Sequence, residues 1–387
     1  MEFHRIEAPP PDVELGFPRQ PLKYVTVRPS AGIGPETGVM LFICPWGMAI
    51  EDAYVGEKLL PYLADAYDCV AVAANYFGIG VKRRVGQRLG EFQGWRAELA
   101  RRFGAGLLNL PFEAVLAELP RLGVTELPAD LPLILQTYPE YQSFGLQPAL
   151  DHIAVLAEVL RDHPVRRDRI YGFGSSYGGY IACLMLKFLP NTFHAVVENS
   201  GFTEALPLEM ASTESAARYW FEGRGIRLCC VPASPWTLRD PASKYFIGDA
   251  VRAIRDCTIP AQYAASRTQL VSYHAEQDSL IPIAAKRRFW AAIGERLELR
   301  SVTVDDGMVD GRLFKINAHG MDASLQLLAD AGFKGLPARA ADAETDFSRG
   351  TIVEVPAGDR LYRAVYRPDL TADFSIVPAG RDTMSAG

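Results

Sequence analysis

Residues 174–178 read Gly-Ser-Ser-Tyr-Gly, a G-x-S-x-G pattern that can expose its central hydroxyl on a sharp strand-to-helix turn. Ser176 holds the centre of that pattern. Ser175 does not, because Phe173 and Tyr177 flank it two residues away. A serine hydroxyl becomes a useful nucleophile only when a base takes its proton and an acid orients that base. Of the six histidines, His319 lies in Asn-Ala-His-Gly-Met-Asp, between a strand region and a helix and downstream of the serine. Asp278, in YHAEQDSLIP, follows an apolar strand and precedes a helix, a suitable place for the orienting acid. Its plain alternative is a helix cap, and that of His319 is a turn filler. Glu276 sits closer to the strand end, Asp322 comes in the wrong order, and His274 reads as a strand-end residue. The chemistry expected of Ser176, His319 and Asp278 is acyl transfer, with backbone donors for the developing oxyanion. The Tyr177 amide, directly after the serine, is the first such donor. Gly47 or Met48, in Cys-Pro-Trp-Gly-Met-Ala, is the second. Trp46 either lines the pocket there or covers the core. No metal or organic cofactor is needed for this route.

These residues need a frame. Apolar runs at 39–44 and 68–76 read as buried parallel strands around a helix at 53–65, and a further strand is expected at 23–29. A helix at 147–160, a strand at 169–174, a helix at 178–188 and a strand at 194–200 follow. The pattern closes with a strand at 269–275, a helix at 283–295, a strand at 297–304 and a helix at 321–333. Repeated strand–helix alternation predicts an α/β, doubly wound sheet, with Ser176 on one of its turns.

Three segments depart from that alternation. Residues 1–37 read as an N-terminal strand and extension, 38–337 as the main domain and 338–387 as a small C-terminal β appendage that leaves a homo-oligomer open. Within the main domain, 77–145 is a long excursion with a helix at 91–103, and 203–263 is the expected cap. In the cap, Trp220, Phe221 and Trp236 either line a substrate pocket or bury the cap itself.

Lys plus Arg total 40 and Asp plus Glu 46, a net charge of -6, which provides no broad reason to bind nucleic acid. The cluster Lys82, Arg83 and Arg84 reads as a solvated loop. Six cysteines show no paired zinc-ligand spacing. No apolar stretch is long enough for a transmembrane segment. The first residues lack a basic start and an apolar signal core, so the chain is expected to be cytoplasmic.

The run GFGSSYGGY, followed by AEQD and AHGMD, resembles the α/β-hydrolase superfamily. Ser176-Tyr177-Gly178-Gly179 is particularly similar to the prolyl-oligopeptidase-like branch. The chain is also similar to a poorly characterised bacterial group of hydrolase-like proteins with a long excursion before the nucleophile strand. The resemblance spans residues 38–202 and 264–335. It implies an eight-stranded, mostly parallel sheet, with Asp278 after a late strand and His319 before the last core helix. Two features depart from a peptidase: the N-terminal section is too short for a β-propeller, and Cys44-Pro45-Trp46-Gly47 stands where many relatives have histidine and glycine. A carboxylic ester or acylated small metabolite is therefore the expected substrate. A small-peptide or amide hydrolase, an acyltransferase and a catalytically inactive interaction protein are the alternatives.

Overall fold

A computed structural model describes residues 1–79, 95–127, 133–135, 140–212, 214, 219–223, 225–232, 234–264, 266–337 and 344–380. The chain divides into two compact units. One comprises Met1–Ile79, Ser143–Ala205 and Gly248–Gly387, the other Gly80–Gln142 and Leu206–Ile247.

The first unit is built on eight strands: β1 (Glu2–Ile6), β2 (Leu22–Val27), β3 (Gly38–Ile43), β4 (Cys69–Ala74), β5 (Ile170–Ser175), β6 (Ala195–Asn199), β7 (Gln269–Ala275) and β8 (Glu298–Val304). Their order across the sheet is β1-β2-β4-β3-β5-β6-β7-β8. β2 runs antiparallel to both β1 and β4, and every later pairing is parallel. Every residue of β3 and β4 is buried, which is why GVMLFI and CVAVAA are continuous apolar runs rather than alternating ones. The helix Tyr177–Phe188 is buried along its whole length and is apolar but for its tyrosine hydroxyls and Lys187, whose ammonium donates to the Ile254 and Asp256 carbonyls at 2.8 Å. The register sets Ser175 of β5 against Asn199 of β6, and Asn199 against Tyr273 of β7. The carboxyl ends of three parallel strands therefore meet on one line, the usual place for a site in an open α/β sheet.

The N-terminal segment supplies strands of this sheet, and the small C-terminal β appendage forms a separate sheet of its own that packs on the same core. Residues 1–37 supply β1 and β2. Glu14, between them, forms a buried ion pair with Arg255 (2.8 Å from Nη1 to Oε1). The tail folds as three antiparallel strands, Ile352–Ala357, Arg360–Tyr366 and Ala372–Pro378. Their inward residues Val355, Tyr362, Ala364, Tyr366 and Phe374 join the same core as the sheet. Alternation along these strands shows that one face is covered, and here the cover is the core itself.

The second unit gathers both excursions. It holds helices Trp95–Phe103 and Phe112–Arg121 and a three-stranded sheet of Leu133–Leu135, Ile226–Pro232 and Tyr219–Gly223. The excursion expected over 203–263 ends earlier. Residues from Gly248 onward, with the helix Asp249–Arg255, return to the first unit. Lys82, Arg83 and Arg84 lie outside the described residues. Cys44, Cys69, Cys183 and Cys257 are buried, and burial foremost pushes the Cys69 thiol up to about 12. Among the described residues no helix is long and apolar enough to cross a membrane.

One buried charge pair lies under the site. Glu198 of β6 and Lys286 of the helix Ile283–Ile293 are fully buried, 2.6 Å apart. Glu198 also accepts hydrogen bonds from the Ser272 hydroxyl and the Gly201 amide. Removing one member of such a pair strands the other, so Glu198→Ala is expected to cost about 3–5 kcal/mol in urea unfolding. Replacing both by apolar residues of similar volume is expected to recover most of that loss.

Candidate active site

β5 ends at Ser175 and the helix begins at Tyr177, so Ser176 makes the turn alone, at φ 53° and ψ −120°. A non-glycine residue held there is strained, and such positions cluster at functional sites. The turn requires glycine on both sides for space. A Cβ on Gly178 would stand 2.1 Å from the Ile43 carbonyl oxygen, and one on Gly174 2.3 Å from that of Gly178. The Ser176 amide donates to the Asn199 carbonyl at 2.6 Å, fixing the turn to β6.

The structure brings Ser176, His319 and Asp278 together. The Ser176 hydroxyl lies 2.8 Å from His319 Nε2, and His319 Nδ1 lies 2.8 Å from Asp278 Oδ2. A carboxylate can only accept, so Nδ1 carries the proton and Nε2 presents its lone pair to the serine. The other carboxylate oxygen of Asp278 accepts from the Leu280 and Ile281 amides, both at 2.9 Å. Burial pushes the Asp278 carboxyl up. The bonds from His319 and Ile281, with the fields of His319 and His274, outweigh that and hold it below its usual range.

The rejected alternatives stand where they cannot compete. Asp322 pairs with Lys315 at 3.1 Å, and Glu276 is exposed. His274 is buried and donates from Nε2 to the Ile281 carbonyl at 2.8 Å. Burial first, then Lys286, pushes its pKa down against smaller opposing pulls from Ile281, Glu198 and Asp278. Its Nε2 bond steadies the same Ile281 that donates to Asp278.

Tyr177 opens the helix, where first-turn amides have no helical carbonyl to bond and carry the positive end of the dipole. Met48 is corrected as a donor: its amide closes a turn on the Pro45 carbonyl at 3.1 Å. Gly47, inside that turn, sits at φ 92°. The Trp46 ring lies 5.3 Å from Tyr177 and 5.5 Å from Phe144, packed against the core. Trp236 is buried in the second unit, its Nε1 donating to the Gln142 carbonyl at 3.2 Å and its ring edge-on to Tyr141. Trp220 and Phe221 stand on Tyr219–Gly223, but their side chains lie outside the described residues.

A parallel sheet, a strand–serine–helix turn and the chain order serine, aspartate, histidine together make this an α/β-hydrolase fold. A family model described as "Protein of unknown function (DUF2920)" matches residues 124–369. The chain belongs to that family. Ser176, Asp278 and His319 all fall inside the DUF2920 match. No curated protein matches the chain. Among solved structures it is similar to Est1E from Butyrivibrio proteoclasticus with ferulic acid bound, at 15% identity over 82% of this chain and 94% of that one, TM-score 0.42. It is similar to the propionate-bound esterase Est2 of Thermogutta terrifontis at 14% identity, covering 80% and 88%, TM-score 0.40. An acylaminoacyl peptidase from Pyrococcus horikoshii is similar at 14% identity and TM-score 0.43; 82% of this chain is covered, but only 38% of the peptidase.

Asp278→Asn is a double test of this geometry. The amide turns His319 to the wrong tautomer, so kcat for an activated ester is expected to fall by about 10⁴-fold. Because Asp278 is held below its usual range, its share of stability is present above the unfolded pKa of roughly 3.9 and lost as pH falls through the folded value. The stability gap between wild type and Asp278→Asn, measured by denaturant unfolding, is expected to be constant above about pH 5 and to shrink below pH 4.

Proposed function

We propose that this chain is a serine hydrolase that cleaves a carboxylic ester or an acylated small metabolite through an acyl-enzyme on Ser176. The hydrogen-bonded line from the strained Ser176 through His319 to Asp278 carries this reading. Ser176 Oγ attacks the acyl carbon while its proton passes to His319 Nε2. Asp278 stabilises the imidazolium that forms and keeps the ring in place. The carbonyl oxygen takes up the negative charge and is met by the Tyr177 amide, with the Gly47 amide as the candidate second donor. When the tetrahedral intermediate collapses, the bond to the leaving oxygen breaks and His319 returns its proton to the departing alcohol. Water then attacks the acyl carbon, His319 takes a proton from it, and Ser176 leaves as a hydroxyl with that proton.

Esters are the more reactive acyl donors and make the first substrate panel. A fluorescent fluorophosphonate is expected to label the wild type and to leave Ser176→Ala unlabelled. In p-nitrophenyl ester assays, His319→Ala is expected to lose about 10⁴-fold or more in kcat while remaining folded. Labelling that survives Ser176→Ala would overturn the nucleophile. A folded wild type that resists probes of several sizes and hydrolyses no ester in a short-chain panel would overturn the hydrolase reading.

A further inference from the structure

His319 reaches Ser176 from a loop that has little regular structure of its own. Gly320, Met321 and Asp322 all have positive φ, at 72°, 57° and 40°. Asp278 fixes the rotation of the His319 ring, but a hydrogen bond to a side chain does not set where the backbone stands. The loop's own turns give it a shape, and its ties to β6 set where that shape stands relative to Ser176. The Ser200 hydroxyl accepts from the Gly320 amide at 3.1 Å and donates to Asn199 Oδ1 at 3.0 Å. The Asn199 side-chain amide reaches the Gly320 carbonyl at 3.3 Å and the Ser175 hydroxyl at 3.4 Å. The Asn199 carbonyl takes the Ser176 amide. Both polar groups of the Gly320 backbone, and the turn that carries Ser176, are thus tied to the same two residues.

Asn199 and Ser200 are buried, 1% and 0% exposed, where polar groups persist when their bonds are made. Ser200 is itself held at φ 53°, its amide bonded to the Tyr273 carbonyl of β7. That backbone position aims its hydroxyl at the loop.

We propose that Asn199 and Ser200 are positioning residues that clip the His319 loop to the nucleophile turn and so set the Ser176–His319 distance. The proposal rests on the serine-hydrolase reading of the site and goes beyond it, since neither residue touches the reacting atoms. They act through His319. The loop also closes on itself, the Ala323 amide donating to the Gly320 carbonyl at 3.1 Å and the Lys315 amide to the Met321 carbonyl at 3.0 Å, whereas the Asn199 and Ser200 bonds tie it to the strand end that carries the nucleophile turn.

The test uses the full-length chain with Ser200→Ala and Ser200→Gly. Glycine tolerates φ 53° without strain, so the second variant keeps the backbone even if the first folds poorly. In both, the Gly320 amide loses its partner and the loop keeps only the weaker Asn199 tie to β6, so it can shift relative to Ser176. Displacement of a catalytic group by an ångström costs about 10²-fold, so kcat on a p-nitrophenyl ester is expected to fall by about that factor with KM unchanged. The rate of fluorophosphonate labelling is expected to fall in step. The deciding arm repeats Ser200→Gly in a His319→Ala background. There the residual rate is expected not to change, because the clip has no base left to position. A similar loss in both backgrounds would overturn the proposal and make Ser200 merely structural. An active wild type with an unchanged, folded Ser200→Gly would overturn the clip alone, whereas an inactive wild type would overturn the hydrolase reading and the clip with it.

Discussion

A methyl group on Gly178 would stand 2.1 Å from the carbonyl oxygen at the end of β3, closer than two such atoms can approach. The helix after Ser176 can therefore enter the sheet only with its first turn pressed against the backbone of the central strand. That contact fixes three things together. It forces Ser176 to turn at φ 53°, it leaves the serine hydroxyl pointing out of the sheet, and it directs the helix N-terminus at the same point. β6 completes the constraint by accepting the Ser176 amide, so the serine is held from the central strand on one side and from β6 on the other.

The charges beneath this turn follow from the same crowding. Glu198 and Lys286 are too deep for water, and each is tolerable only because the other is present and the remaining lone pairs find donors in Ser272 and Gly201. As a pair they leave little net field. Burial, then Lys286, pushes the pKa of His274, beside Asp278, down. The consequence is local. Asp278 is bonded to His319 and to two backbone amides rather than to a lysine or arginine, and on the proposed route it stays a carboxylate when His319 receives a proton. On that route the attraction between Asp278 and His319 is strongest when the imidazolium forms, so it would lower a barrier rather than merely hold a ground state.

Much of this was readable from residue order, for definite reasons. Buried parallel strands must be apolar on both faces, so β3 and β4 stood out as runs, and the turn at 174–178 announced itself by glycines that only a close approach demands. The ends of the chain were harder. Glu2–Ile6 is an exposed edge strand of mixed polarity, which has no periodic signature to find. The tail strands showed their alternation but not what their apolar face meets, and the partner proved to be the main core. The expected helix from 321 begins at Leu325, because the apolar Met321 is buried from a left-handed turn rather than from a helix face. Asn199 and Ser200 read simply as the polar end of a strand. The one sequence signal there was Glu198, a charge in an otherwise apolar run, which marks a place where a buried polar network must exist.

The same site also shows where the chain concentrates its strain. Among the described residues seven non-glycine positions have positive φ, and four of them, Ser176, Ser200, Met321 and Asp322, lie on the two loops that carry Ser176 and His319 or on the link between them. Each such residue costs on the order of 1–3 kcal/mol, which the surrounding packing must offset. A regular helix or strand could not present a serine and a histidine 2.8 Å apart from segments 143 residues distant in the chain. The strained turns are the means of doing so, and they hold only because their backbone groups are bonded to residues that the rigid sheet fixes in place. Rigidity of β5, β6 and β7 is therefore a condition of the proposed reactivity, since any slack in their shared ends would be released first as separation of Ser176 from His319.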